Sequence, residues 1–262
     1  MKINIAGGSG IMGKVHKPIF ESAGHEVIIS GRTSSPTLEE AARISDLTIV
    51  SVPISATEVM IKRVAPHCNA LMDFTGLKVF PIESMLKYSN ENCEVGGLHP
   101  LYGEVLGRTI VYCPTKRSGN KCNMIIEAFE KSGLKIKRMD PQSHDMLVGG
   151  IAQNARLMLF EAFARLMEKY DIPARELYEI SPPPTRILLD LIARQIDKKN
   201  DSLYRDMREY NSSTEEITNY LINTLNSPSA EDIPNKIRTL FGESFLKESQ
   251  NRARLLIGNS KK

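Results

Sequence analysis

The 262-residue chain contains no tryptophan, and only 6% of its residues are aromatic. That leaves no evident stacking platform for single-stranded nucleic acid. A net charge of +3 is too slight to argue for nucleic acid or an anionic membrane surface as partner. No apolar run reaches the ~18 residues of a membrane span, and the opening residues read as a strand rather than a basic-then-apolar leader. A cytoplasmic protein with a small-molecule substrate is the expectation. Cysteine is sparse. Cys68, Cys93, Cys113 and Cys122 stand apart with no CxxC pair, and the first three lie in or beside apolar stretches, as reduced core thiols would. No spacing of His and Cys suits a metal. With 41% hydrophobic and 25% charged residues, the composition is that of an ordinary globular protein, long enough for two modest domains.

What is present is a strand running into a glycine loop. Lys2-Ile3-Asn4-Ile5-Ala6 leads to Gly7-Gly8-Ser9-Gly10-Ile11-Met12-Gly13 and then to an amphipathic helical stretch. Gly8-x-Gly10-x-x-Gly13 in that setting is a dinucleotide fingerprint. Gly8 would make the tight turn, Gly10 would let the backbone approach a pyrophosphate, and Gly13 would let helix and strand pack closely. Residues Gly8, Ser9, Gly10, Ile11, Met12 and Gly13 are therefore expected to hold NAD or NADP at a helix N-terminus. The end of the second strand chooses between them. An acid about 20 residues past the glycines would take the ribose 2′-OH of NAD. Here Ser30-Gly31-Arg32-Thr33-Ser34-Ser35 has no acid before Glu39. Arg32, Thr33 and Ser34 suit a 2′-phosphate, so NADP is favoured with NAD possible; the weaker alternative is that Arg32 is only a solvated turn residue.

Seven short apolar runs follow one another: Lys2–Ala6, Glu26–Ser30, Leu47–Val52, Ala70–Asp73, Glu94–Leu98, Thr109–Cys113 and Leu134–Lys137. Nearly continuous apolar strands alternating with helices predict a parallel sheet covered on both faces. The expected architecture is an α/β, Rossmann-type doubly wound sheet over residues 1–142, followed by an all-helical domain over 143–262. Met146 to Lys169 has helical period, Ser181-Pro182-Pro183-Pro184 should interrupt it, and further breaks fall near Asn211-Ser212-Ser213 and Ser227-Pro228. The apolar helix surface of the second half predicts a homodimer.

Strand ends in open α/β sheets carry ligands. Val52 and Pro53 end the third run and are expected at the cofactor. Asp73-Phe74-Thr75-Gly76-Leu77-Lys78 follows the fourth. After the fifth comes Gly96-Gly97-Leu98-His99-Pro100-Leu101-Tyr102-Gly103, where His99 could serve either the crevice or a cap. In that order behind GGSGIMGK, the strings SVPI, DFTGLK and GGLHPLYG resemble the prephenate dehydrogenase family of tyrosine biosynthesis. HDMLVGGIAQNAR, PPPTRILLDLI and LFGESFLKES continue the resemblance through the second half. It implies oxidative decarboxylation of prephenate to 4-hydroxyphenylpyruvate, or of arogenate to tyrosine, with NAD(P)+ as hydride acceptor. It also implies that His99 accepts the hydrogen of the substrate C4–OH and that Arg186 grips a carboxylate. Gln153 and Arg156, three apart on one helix face, would line the substrate pocket. Lys78 could contact substrate or cofactor, or only solvent; Tyr204 could line the pocket or pack a helix. The chain departs from the family pattern at Gly76, where many members carry a serine that helps place the C4–OH and the histidine, and Thr75 or a water could substitute. His144 reads as structural, with no acid or nucleophile pattern around it. Two other readings compete: a 3-hydroxyacid or imine dehydrogenase, disfavoured because Met146 to Arg165 contains no lysine, and a non-catalytic NADP-binding regulator, disfavoured by His99 and Arg186.

Overall fold

The computed structural model describes residues 1–101, 109–195, 202–226 and 233–259. The first part alternates β1 (Lys2–Ala6), α1 (Ile11–Ser22), β2 (Glu26–Ser30), α2 (Leu38–Ile44), β3 (Leu47–Val50), α3 (Ile54–Val64), β4 (Ala70–Asp73), α4 (Val79–Tyr88) and β5 (Glu94–Pro100). It continues with β6 (Thr109–Pro114), α5 (Asn120–Lys131), β7 (Lys135–Arg138) and α6 (Pro141–His144). A π-helical segment, Asp145–Ala155, leads into α7 (Arg156–Lys169), α8 (Ala174–Ile180), α9 (Pro183–Gln195), α10 (Leu203–Tyr210), α11 (Thr214–Asn226), α12 (Ile233–Phe241) and α13 (Glu243–Asn259). Ser227 and Pro228, expected to break the chain, lie outside the described residues.

The strands form one sheet in the order β2-β1-β3-β4-β5-β6-β7. Side chains alternate between its two faces. Ile3, Ile5, Leu47, Ile49 and Met72 pack under Phe20 of α1 and Ile125 and Phe129 of α5. Ala6, Val50, Leu71 and Val95 meet Leu38 of α2, Ile61 and Val64 of α3, and Ile82 and Met85 of α4. With helices on both faces, this is a Rossmann-type doubly wound fold, and the two-sided cover is why the strands read as unbroken apolar runs. The four cysteines are free and buried in it. Burial pushes the Cys68, Cys113 and Cys122 thiols up to about 12.

Three details differ from the sequence-based expectation. The sheet is not wholly parallel: β6 runs antiparallel to β5, with His99 opposite Val111. The connection spans only 101–108, whereas a parallel return needs a crossover of a dozen or more residues. Second, Pro183 and Pro184 do not merely break the chain but open α9, where the first turn has no use for their missing N–H groups. Third, the helix expected from Met146 begins as the π-helical segment containing Gly149 and Gly150.

The chain divides into two units, Met1–Asn154 with Ser202–Glu215, and Ala155–Asp201 with Glu216–Lys262. Thus α10 belongs with the sheet, although it follows α9 in sequence. Its Asp206 accepts hydrogen bonds from Ser55 N (3.3 Å) and Ser55 Oγ (3.0 Å), which fastens it to the first turn of α3. In the second unit, Leu157 and Phe160 of α7 are buried, while Ile180, Tyr220, Leu225, Leu240 and Leu255 are exposed. Among the described residues no helix is long and apolar enough to cross a membrane.

Candidate active site

In this strand order the switch point falls between β1 and β3, and the crevice outside their carboxyl ends is where such sheets take ligands. The glycine loop lies there, and its geometry reassigns one role. The left-handed turn is made by Gly7, at φ 85°, not by Gly8. A Cβ on Gly7 would come within 2.5 Å of Ser51 O and Val52 Cγ1. Gly8 instead makes room for Ile5 and Ile29. A Cβ on Gly13 would reach Gly8 O at 1.7 Å, so its absence lets α1 close on the loop. In front of Gly10, by contrast, a Cβ would meet nothing within 4 Å. Gly10 is also the N-cap of α1 and supplies no side-chain cap, so the first-turn N–H groups face this open space unclaimed by a capping side chain. That combination fits a pyrophosphate, with Ser9, Ile11 and Met12 around it.

Beside it, Ser9, Ile29, Ser30, Gly31, Arg32, Thr33 and Ser34 line a cavity of about 490 Å³. Arg32 and Thr33 are exposed at its rim. Ser34 is a corrected case, because its hydroxyl is spent on the loop. It accepts from Gly31 N (2.9 Å) and lies 2.7 Å from Pro36 O, so it shapes the turn rather than offering a free donor. Glu39, the first acid after β2, is paired with Arg63 at 2.8 Å. Pro53 caps α3, its carbonyl accepting from Ala56 N (3.0 Å) and Thr57 Oγ1 (3.1 Å).

The ends of β4 and β5 carry the ionisable groups. His99 is 8% exposed near the end of β5. A Cβ on Gly76 would stand 3.9 Å from His99 Nε2 and 3.8 Å from Ile54 Cδ1 and Met207 Sδ. The space on the Nε2 side of the ring, where that Cβ would stand, is thus also bordered by Ile54 and Met207, which pack with Leu77. Its Nδ1 is 2.9 Å from His144 Nε2, and His144 Nδ1 is 2.8 Å from Asp145 Oδ1. His144, expected to be structural, is thus the direct partner of the candidate base, and its acid is the next residue. Burial, then His144, then the Lys78 ammonium hold the His99 pKa well below the usual histidine range, so the ring is neutral at neutral pH.

Lys78 is corrected most sharply. Expected at substrate, cofactor or solvent, it is fully buried, and its ammonium bonds the Asp73 carboxylate and Leu98 O (2.7 Å). Gly97 makes the path, since a Cβ there would sit 2.9 Å from Lys78 Cδ. Thr75 is likewise no stand-in for the absent serine. Its hydroxyl lies 3.3 Å from Thr57 Oγ1, and its N–H donates to Asp73 Oδ2 at 2.9 Å. Gln153 is half-buried in the π-helical segment, whose i→i+5 winding removes the shared face expected with Arg156. Arg156 belongs to the second unit and lies over the Phe160 ring at 5.7 Å. Arg186, also in the second unit, donates to Ser181 O (2.9 Å) and Glu179 O (3.1 Å), capping the end of α8. Tyr204 falls in α10, but its side chain lies outside the described residues, as do Tyr102 and Gly103 at the end of the His99 string.

Residues 11–138 match the family model for the prephenate dehydrogenase nucleotide-binding domain. The match marks this stretch as a nucleotide-binding domain of the prephenate dehydrogenase type. A "Probable arogenate/prephenate dehydrogenase" of Methanocaldococcus jannaschii is 28% identical over 94% of this chain, and the "T-protein" of Enterobacter agglomerans is 26% identical over 78%. The chain spans 59% and 55% of the lengths of those relatives. A crystal structure of prephenate dehydrogenase from A. aeolicus, in complex with hydroxyphenyl propionate and NAD+, superposes with a TM-score of 0.69 at 16% identity. The match covers 97% of this chain and 96% of that one, and it shows a shared fold.

The Lys78–Asp73 pair generates a stability prediction. Lys78→Met should cost about 3–5 kcal/mol, because it strands a buried carboxylate. Adding Asp73→Asn, which keeps an acceptor for Thr75 N, should recover most of the loss. Urea unfolding of both variants checks this; a single variant as stable as wild type would contradict the assigned pairing.

Proposed function

We propose that this protein is an NADP-preferring dehydrogenase of tyrosine biosynthesis that oxidatively decarboxylates prephenate, or its amino analogue arogenate. The observation that carries the reading is a neutral, buried imidazole, His99, at the same strand-end crevice as a pyrophosphate-shaped glycine loop. The match of residues 11–138 to the prephenate dehydrogenase domain model and the substrates named for the M. jannaschii relative support it, as does the aromatic acid bound by the A. aeolicus enzyme.

On this reading His99 Nε2 accepts the hydrogen of the substrate C4–OH. When bound, the nicotinamide supplies the hydride acceptor for C4. The hydroxyl proton passes to Nε2 as C4 becomes a carbonyl carbon. Loss of CO2 then sends its bonding pair through the ring to the oxygen, which takes the proton back from Nε2 as the ring becomes aromatic. The Ile54–Leu77–Met207 wall keeps this exchange dry, which strengthens every polar contact inside it. From the resemblance we carry over a carboxylate-binding role for Arg186 and substrate-contact roles for Gln153, Arg156 and Tyr204. For that role the Arg186 guanidinium keeps donors beyond the two that hold α8.

NADP+ reduction with prephenate and with arogenate, followed by absorbance, tests the activity. His99→Ala should lower kcat by roughly 10²–10⁴-fold and leave cofactor affinity nearly unchanged. Failure to turn over either substrate would sink the reading.

The preference for NADP rests on Arg32 and on the engagement of Glu39 by Arg63, although the A. aeolicus neighbour holds NAD+. Arg32→Asp should weaken NADP+ by about 2 kcal/mol, through a lost charge-assisted pair and added repulsion. Tighter binding of NAD+ than NADP+ by the native protein, measured by calorimetry, would reverse the assignment.

We also assign a homodimer built from the helical unit, where Ile180, Tyr220, Leu225, Leu240 and Leu255 stand exposed. Light scattering should return twice the chain's mass at micromolar concentration; a monomer would refute it.

A further inference from the structure

The reaction described above uses His99 and leaves two ionisable groups behind it without a task. Asp145 is 2% exposed and His144 is fully buried. Asp145 Oδ1 accepts from Lys78 N at 2.7 Å and Oδ2 from Val79 N at 2.9 Å, so the carboxylate sits on the first turn of α4. Both of those partners are N–H donors, so both oxygens accept. His144 Nδ1, 2.8 Å from Oδ1, must then carry the hydrogen of that contact. In a neutral ring this leaves His144 Nε2 as the acceptor. The 2.9 Å contact with His99 therefore takes a hydrogen from His99 Nδ1, and His99 Nε2 is left bare toward Gly76. Each hydrogen in the row is fixed by the one before it, starting from a carboxylate.

We propose that His144 and Asp145 are positioning residues that hold His99 in the Nδ1–H form and store the substrate's proton during turnover. This rests on the dehydrogenase reading. As Nε2 takes the C4–OH proton, His99 Nδ1 passes its own to His144 Nε2. His99 ends neutral as the Nε2–H form, and His144 becomes an imidazolium against the Asp145 carboxylate. When the ring oxygen gains the electron pair left by CO2, the two protons step back. Nothing is gained or lost over the cycle: one C–H leaves as hydride, one carboxylate leaves as CO2, and the hydroxyl proton returns to oxygen. A site that must hold a proton briefly and return it needs a place where the charge is tolerated.

The surroundings favour His144 for that charge. A cationic His99 would face the Lys78 ammonium and lose solvation; a cationic His144 faces Asp145. Among the described residues, the groups near the pair are Asp73 at the end of β4, Lys78 at the start of α4, Asp145 from the π-helical segment, and uncharged Met207 and Asn211 from α10 and its following turn. Asn211 Nδ2 donates to Asp145 O (3.2 Å), and Gly149 admits it, since a Cβ there would lie 2.9 Å from Asn211 Nδ2. Asp140 is occupied capping Ser143 N at 2.8 Å.

Two measurements test the proposal. In ¹⁵N-labelled wild-type protein without substrate, long-range imidazole correlations at neutral pH should show His99 protonated on Nδ1 and bare on Nε2. A neutral-pH His99 with its hydrogen on Nε2 would overturn the proposal. The second is His144→Gln, which can still accept from His99 Nδ1 but cannot take a proton. It should lose roughly 10–100-fold in kcat with substrate KM within about threefold. A wild-type kcat would also overturn it. The spectra need no turnover, so inactivity toward prephenate and arogenate would strike the functional reading alone, and a variant that fails to fold leaves the wild-type spectra to decide.

Discussion

The carboxylate of Asp145 fixes the geometry on which the rest of the site depends. It accepts the backbone N–H groups of Lys78 and Val79 and the ring N–H of His144. The first two set where α4 begins and therefore how the 73–78 loop leaves β4. Once Lys78 is placed, its side chain runs past Gly97 to Asp73 and Leu98 O beneath the sheet. The third contact sets His144 and, through it, His99. Buried charges left unpaired cost several kcal/mol. A shift of the loop by one residue would unpair both Asp145 and Lys78, so this arrangement is strongly specified without being large.

The sheet was legible in the sequence because its faces are both covered. Leu47–Val50 and Ala70–Asp73 are buried at every position, and a continuous apolar run is what such strands must look like. The glycine loop was legible in outline, yet the strain falls on Gly7 and not on the first glycine of the fingerprint. A motif records which positions lack a side chain, not which of them turns the backbone. The β5–β6 reversal was readable in principle from the short 101–108 connection, and strand composition alone carries no direction. Lys78 was misplaced for a related reason. Lysine is rarely fully buried, and the room for it is made by a glycine on the neighbouring strand, nearly twenty residues further on.

The His144–Asp145 pair could not be seen as part of the site because its meaning is a long-range contact. Forty-five residues separate His144 from His99, and the segment between them includes two strands and a helix. Adjacent His and Asp residues at a domain junction look like any polar turn. One signal was available: the string HDMLVGG joins an ionisable pair to two glycines. In the structure those glycines lie in the π-helical segment, a local winding often found at functional sites. Gly149 is there because Asn211 and Leu77 occupy the space of its side chain.

Gly76 and His144 bear on one question, which is how His99 is held. In many members of the family a serine hydroxyl stands at the Gly76 position, on the Nε2 side of the ring. Among the described residues the space there is bordered by Ile54 and Met207, which pack with Leu77, and the neighbouring hydroxyl of Thr75 is turned to Thr57. The ring is instead gripped at Nδ1, by a partner that is itself anchored to a helix N-terminus through Asp145. A hold at Nδ1 leaves Nε2 with no hydrogen bond among the described residues to give up when substrate arrives. It also fixes the tautomer, which an apolar wall cannot do. The departure at Gly76 therefore removes one constraint on the imidazole without leaving it loose, because the constraint that selects the accepting nitrogen comes from the opposite side of the ring.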